Sequence, residues 1–371
     1  MGPARARPPP TTAPRRCRDD QRGTAGRDAE PGGAGTAAPR DPALAAPVKR
    51  VLVTDHPWPS LDLESQIVAA TGAEVVDASG DPAEIARLAT GADAILTCFA
   101  KIPADVLDAA RRCLTVARYG VGVDNIDVAR ATELGMVVSN VPDYCSDEVA
   151  DHTLLLILAL ARRLVPHTRL LGHGGWDVTG TGTPSRLRGK VLGLVGLGTI
   201  GRALVPRALA VGLQVLTWSR TDRAVPGTEP AASLEELLAA SDIVSLHVPA
   251  TPQTRGMIGA AELAKMKPTA WLVNTARGSL VDTDALVSAL RDRVIAAAAL
   301  DVTDPEPLPP HHPLRTRDDV VLTPHVAFNS DGSLADLART AATNVADVLT
   351  GLVPATVVNP EVLSSTALRM R

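Results

Sequence analysis

Short apolar runs alternate with segments of helical spacing along almost the whole chain, and this alternation constrains the fold more than any other feature. Val51-Leu-Val-Thr-Asp55 is a strand-length run ending in a turn, Leu61 to Thr71 has apolar residues at helical intervals, and Ala73-Glu-Val-Val-Asp-Ala78 reads as a strand again. Asp81-Pro82 then offers a capping carboxylate followed by a proline suited to a first helical turn. The pattern continues through Ala94-Ile-Leu-Thr-Cys98, a helix from Pro103, Leu114-Thr-Val-Ala-Arg118, a helix from Ile126 and Met136-Val-Val-Ser-Asn140. Residues 147–163 read as one long helix, and a polar, glycine-rich interval fills 172–189. Strands are expected at 191–196, 213–218, 242–248, 270–276, 295–301 and 320–324, before a last helix from Leu334 to Leu349. Such a β-α repeat implies parallel sheets with helices on both faces. The expected class is α/β, with two Rossmann-like, doubly wound parallel-sheet units. By spacing alone they would be consecutive domains joined by the long helix.

Residues 1–47 break the pattern. They hold nine Pro, six Gly, eight Arg and five acids, with almost no Leu, Ile, Val or Phe. Such a stretch buries too little apolar surface to offset its ordering entropy and is expected to be disordered. It has no apolar segment of signal-peptide type, and Asp19, Asp20, Asp28, Glu30 and Asp41 argue against an organelle transit peptide. The whole chain carries −4, and the tail's excess of arginine leaves −7 on the remainder, a balance that disfavours a nucleic-acid partner. The longest apolar run, Thr153 to Ala161, is far short of the ~20 residues that span a bilayer, so no membrane partner is expected. Four cysteines lack C-x-x-C or Cys/His spacing. No disulfide framework or metal site is therefore expected, and a reducing, cytoplasmic compartment is the default.

Val191-Leu-Gly-Leu-Val-Gly196-Leu-Gly198-Thr199-Ile200-Gly201 is a strand that runs through G-x-G-x-x-G into a helix. Gly196 suits a tight turn, Gly198 lets backbone amides approach a pyrophosphate, and Gly201 allows close helix–strand packing. The helix N-terminus adds N–H groups and a positive dipole for phosphates. A dinucleotide site follows. The next strand ends in Trp218-Ser219-Arg220-Thr221 where an acid would bind ribose hydroxyls. No carboxylate there repels a 2′-phosphate, and Arg220 with two hydroxyls suits one, so NADP(H) is favoured and NAD(H) is the alternative. Pro206, inside the following helix, removes a backbone bond and has no functional account.

Further motifs follow in order: Asn274-Thr-Ala-Arg277-Gly278-Ser-Leu-Val-Asp282, Asp301-Val-Thr-Asp-Pro-Glu306-Pro and Thr323-Pro-His325. Together with the glycine fingerprint they resemble the D-isomer-specific 2-hydroxyacid dehydrogenases over residues 48 to about 360. Arg118 to Asp127, Asn140 to His152 and Pro324 to Phe328 resemble the branch containing the C-terminal-binding-protein corepressors and their bacterial enzyme relatives. The resemblance implies a flavodoxin-like substrate domain built from 48–146 and 328–371, with an NAD(P)-binding Rossmann domain, 147–327, inserted in it. It also implies a homodimer and a cleft between domains where a hydride passes between NAD(P)H and a 2-oxoacid. The alternative is a nucleotide-sensing binding protein like the corepressors, which keep the same Arg, Glu and His.

Reduction of a 2-oxoacid needs a cation for the carboxylate and ketone and an acid for the nascent alkoxide. Arg277 follows an apolar strand, so it projects from the carboxyl edge of the sheet, and its planar fork suits a carboxylate and a carbonyl together. His325, at the end of the last strand, suits proton transfer near neutral pH. By resemblance Arg277 binds substrate, His325 is the acid, and Glu306 hydrogen-bonds that histidine and stabilises its charged form. An amide replaces this acid in the similar formate dehydrogenases, so Glu306 supports a hydroxyacid/oxoacid pair. Val121 and Gly122 match a loop whose N–H groups hold the substrate carboxylate. Val248, Pro249, Thr275, Ala276 and Asp301 match positions on the nicotinamide or adenosine side, beside Thr199 and Ile200. The loops Asp55-His-Pro-Trp58 and Phe99-Ala-Lys101 are expected to face the cleft, with Lys101 toward substrate. Trp58, Phe99, Tyr119 and Phe328, half of the chain's eight aromatic residues, are expected near it.

Overall fold

The computed structural model describes residues 48–220 and 225–370. The expectations for 1–47 and for Thr221 lie outside the described residues. Among those described, five strands form a first parallel sheet: β1 (Lys49–Val53), β2 (Ala73–Asp77), β3 (Ala94–Thr97), β4 (Thr115–Arg118) and β5 (Val137–Ser139). Its order is β2-β1-β3-β4-β5. Seven more form a second sheet: β6 (Val191–Val195), β7 (Gln214–Trp218), β8 (Thr228–Pro230), β9 (Ile243–Leu246), β10 (Trp271–Asn274), β11 (Ala297–Leu300) and β12 (Val320–Leu322). Its order, β12-β11-β10-β9-β6-β7-β8, reverses direction at β6, between β9 and β7. That reversal opens a crevice at the strands' carboxyl ends, where ligands of such sheets bind. The short edge strand β8 was not anticipated. Its three residues end in Pro230, which only an edge position tolerates.

The helices in chain order are α1 (Asp62–Ala69), α2 (Pro82–Ala89), α3 (Ala104–Ala109), α4 (Val128–Glu133), α5 (Ser146–Ala161), α6 (Leu164–Gly172), α7 (Thr199–Ala210), α8 (Leu234–Ala240), α9 (Ala260–Leu263), α10 (Thr283–Arg291) and α11 (Asp331–Leu349). Local chemistry sets their starts. The Asp81 carboxylate accepts the Glu84 amide at 2.9 Å and Pro82 occupies the first turn of α2. Pro206 sits within α7 without ending it.

Strands β3, β4, β9, β10 and β11 are buried at every residue, which explains why apolar residues dominate them. Ile85, Ala89 and Leu107 cover one face of the first sheet. Leu337, Ala341 and Val345 of α11 cover the other. The last helix therefore returns to the first sheet rather than continuing the second, which differs from the reading by spacing alone. Helix α5 follows β5 but packs on α7 and the second sheet through Leu156, Ile157 and Ala161. The chain thus crosses between the sheets at α5 and again just before α11.

Candidate functional site

The carboxyl ends of strands from both sheets line one cleft of about 500 Å³. The glycine fingerprint shapes one end of it. Gly196 has φ +100°, and a Cβ there would lie 2.5 Å from the His247 carbonyl oxygen. A Cβ on Gly201 would lie 2.6 Å from the Gly196 oxygen. Both are packing glycines. Gly198 caps α7 and has open space where a Cβ would project, on the cleft side. Gly198, Thr199 and Ile200 therefore offer the N-terminus of a twelve-residue helix to the cleft. An open glycine before a helix dipole fits a dinucleotide pyrophosphate.

Val248, Pro249, Thr275, Ala276 and Asp301 line the same cleft. Thr275 is held by a 2.8 Å hydrogen bond to Thr153 of α5. Ser219 and Arg220 follow β7, away from the cleft lining, and Arg220 is exposed. Burial pushes His247, hydrogen-bonded to Ser245 at 2.8 Å, down to about 4. Its ring is neutral at physiological pH.

Asn274 ends β10 fully buried and bends the chain that follows. Its Oδ1 accepts the Ala276 amide at 3.0 Å, and its Nδ2 donates to the Arg277 carbonyl at 2.8 Å. Arg277 thereby reaches across the cleft, where its Nε donates to Asp124 of the first sheet's loop at 3.1 Å. Burial works to raise the Asp124 carboxyl, but the Arg277 guanidinium wins and holds it below its usual range. Gly122 is needed at this contact, since a Cβ there would overlap Arg277 Nη2. Val121 beside it is 41% exposed and lines the cleft.

His325 follows β12 with φ +54°, a left-handed conformation uncommon for a residue with a side chain. Asp301 enforces it. The Asp301 carbonyl accepts the His325 amide at 2.8 Å, and its carboxylate accepts the Val326 and Ala327 amides, each at 2.9 Å, and the Thr323 hydroxyl at 2.5 Å. His152 of α5 backs this clamp through Thr323 at 3.0 Å. The His325 Nδ1 lies 2.5 Å from Glu306 Oε1, which leaves Nε2 as the free edge of the ring. Glu306 stands behind the histidine rather than in the cleft lining. Phe99 and Phe328 stack edge-on against the His325 ring, with centroids 5.3 and 6.0 Å away.

The structure does not bring every expected residue here. Lys101 is exposed and outside the cleft lining. Trp58 is a core residue rather than a cleft residue: its indole donates to the buried Glu64 carboxylate at 3.1 Å and packs edge-on against Tyr119. Asp55 serves the loop next to it, accepting the amides of Cys98, Phe99 and Ala100. Arg118, Tyr144, Cys98 and Cys145 line the cleft and were not anticipated as site residues. Burial pushes the Cys98 thiol up to about 12 and the Cys145 thiol up to about 11, so neither supplies a thiolate. The signal for Arg118 was present, since it ends an apolar strand, as Arg277 follows one.

Residues 154–327 match the family model described as the D-isomer specific 2-hydroxyacid dehydrogenase, NAD binding domain. A glyoxylate reductase from Thermofilum pendens is 41% identical over 316 residues, covering 83% of this chain and 93% of its own. The structure of an NADPH-dependent glyoxylate/hydroxypyruvate reductase from Sinorhizobium meliloti, in complex with NADP and malonate, superposes with TM-score 0.75 at 31% identity, covering 87% of this chain and 98% of that one. A D-lactate dehydrogenase from Aquifex aeolicus, complexed with NAD and lactic acid, superposes with TM-score 0.76 at 26% identity, covering 84% and 99%. The chain belongs to the D-isomer-specific 2-hydroxyacid dehydrogenase family and is an NAD(P)-dependent oxidoreductase of 2-oxoacids and 2-hydroxyacids.

Proposed function

We propose that the protein acts mainly as a 2-oxoacid reductase, with Arg277, Glu306 and His325 as its chemical machinery. The observation that carries this reading is that His325, held from behind by Glu306, lines the same cleft as Arg277. The Arg277 fork holds the substrate carboxylate and polarises the ketone, assisted by the backbone N–H groups of Val121 and Gly122. The nicotinamide, when bound, supplies the hydride. His325 Nε2 gives its proton to the oxygen that becomes an alkoxide, and Glu306 on Nδ1 fixes the tautomer and stabilises the ring's positive charge. Reversal of the same transfers oxidises a 2-hydroxyacid.

The cofactor preference we propose is NADP(H), supported by Arg220 after β7 and the lack of an acid at 219–221. We also propose that 48–146 and 328–371 form the substrate domain and 147–327 the nucleotide domain, supported by the return of α11 to the first sheet. A homodimer in the cytoplasm completes the proposal.

The test is oxidation of NADPH and NADH with glyoxylate, hydroxypyruvate, phenylpyruvate and 2-oxoisocaproate. Turnover with NADPH is expected; no turnover with any acid, alongside tight nucleotide binding, would overturn the reductase reading. His325→Ala and Arg277→Ala are each expected to cut kcat/KM at least ~100-fold while sparing nucleotide affinity. Arg220→Ala is expected to raise KM for NADPH ~10-fold and leave NADH unchanged. Equal effects on both nucleotides would reject the assignment of Arg220.

A further inference from the structure

Two consecutive backbone amides in the cleft wall have no partner. Among the described residues neither the Val121 N–H nor the Gly122 N–H donates a hydrogen bond, although both residues line the cleft. The carbonyls of the same two peptide units are, by contrast, pinned. The Gly120 carbonyl accepts the Val141 amide at 3.0 Å, and the Val121 carbonyl accepts Asn140 Nδ2 at 2.7 Å. Asn140 and Val141 follow β5, the strand paired with β4, and stand outside the cleft lining.

Peptide geometry turns this pinning into an orientation. In a trans peptide unit the C=O and the N–H share one plane and point in opposite directions. Both units here are trans. The Val121 N–H belongs to the unit that carries the Gly120 carbonyl, and the Gly122 N–H to the unit that carries the Val121 carbonyl. Holding both carbonyls toward 140–141 therefore turns both N–H groups away from that side. Two successive N–H groups aimed one way form a concave donor site for an anion. Its Gly122 end adjoins Arg277, since a Cβ on Gly122 would overlap Arg277 Nη2.

Asn140 is itself braced from the last helix. Its carbonyl accepts the Thr356 hydroxyl at 2.5 Å and Asn344 Nδ2 at 3.2 Å, and the Asn344 amide also donates to Thr356 at 3.1 Å. Asn344 lies on α11 and is buried. The Val141 contact is main chain, which most residues would supply. The contact on Val121 needs a side-chain donor, and Asn140 is the residue that provides it.

We propose that Asn140 is a positioning residue: by holding the Val121 carbonyl it aims the Gly122 N–H, beside Arg277, at the carboxylate of the 2-oxoacid. This rests on the reading of the Val121 and Gly122 amides as carboxylate donors. The carboxylate keeps its charge throughout hydride transfer, so those amides bind substrate and transition state alike. Asn140 therefore acts on KM and leaves kcat nearly unchanged.

The test is steady-state kinetics with NADPH and a 2-oxoacid that the wild type reduces. Asn140→Ala is expected to raise KM for the 2-oxoacid ~10-fold, to keep kcat within about threefold and to leave KM for NADPH unchanged. Asn140→Gln, which keeps an amide donor, is expected to lie between wild type and Asn140→Ala. An unchanged KM for the 2-oxoacid, a fall in kcat as large as the rise in KM, or a Gln variant as weak as the Ala variant would overturn the proposal. If the Asn140 variants do not fold, Thr356→Val decides. It removes the hydroxyl that braces Asn140 while keeping the side-chain shape, and it should raise the same KM about threefold; an unchanged KM rejects the proposal. Amide resonances of isotope-labelled valine and glycine separate this proposal from the reading beneath it. Oxamate, which carries a carboxylate next to a carbonyl, is expected to shift the Val121 and Gly122 signals of the NADPH-bound wild type. No shift overturns both the loop reading and this proposal. A shift together with an unchanged KM in Asn140→Ala overturns this proposal alone.

Discussion

Gly278 shows how one missing methylene can couple two proposed catalytic groups. A Cβ there would lie 2.0 Å from the Thr303 carbonyl carbon and oxygen, which are backbone atoms of the loop carrying Glu306. Gly278 thus lets the Arg277 turn and the Glu306 loop approach each other. Gly278→Ala must push the two apart, at a cost of ~3 kcal/mol or more, because backbone does not yield as a side-chain tip does. The expected outcome is a lower midpoint in urea denaturation together with a fall in kcat. A variant with unchanged stability and activity would contradict this contact. The glycine was visible beside Arg277 in the sequence, but its contact with Thr303 was not, because it joins positions far apart in the chain. Arg118 was visible at the end of an apolar strand, but its burial with an unbonded Nε was not. Trp58 misled in the opposite direction, because its polar partner, Glu64, lies on a helix whose packing the sequence does not display.

Among the elements, α5 does more than cover a sheet. Its polar residues reach three separate site segments: Thr153 bonds Thr275, His152 bonds Thr323, and Glu148 accepts the Ser330 hydroxyl at 2.8 Å. The same Ser330 caps α11 by accepting the Ser333 amide at 2.9 Å. Ser330→Ala is therefore expected to cost ~1 kcal/mol in equilibrium unfolding, the usual worth of an N-cap. A cost near zero would mean that α11 does not depend on this cap. The long strands and helices were legible because their apolar periods are unambiguous. The edge strand β8, three residues long, was not, since a sequence that short carries no period. The start of α11 at Asp331 rather than Leu334 follows from the Ser330 cap, which precedes the first apolar residue of the helical stripe.

Across the whole molecule, large apolar side chains stand exposed on α5, α6 and the loop beyond: Leu155, Leu164, Leu171, Trp176 and Val178, with Trp176 89% exposed. Exposed apolar side chains close together in sequence are candidates for the interface of the proposed homodimer. Leu171→Glu with Trp176→Glu is expected to halve the mass measured by light scattering, while an unchanged mass would exclude this surface. The order of motifs along the chain was enough to expect both sheets and the cleft between their edges. It could not say which charges would face each other across that cleft. The path of the chain there has a mechanical consequence. His325 lies between the last strand of one sheet and the helix that covers the other, in a segment clamped by Asp301 and ended by Ser330. The proposed proton donor thus sits on one of the two chain crossings between the sheets, while the Arg277–Asp124 ion pair ties the turn after β10 to the loop after β4, so the proposed acid and the proposed carboxylate anchor are each fixed at a place where the two halves meet.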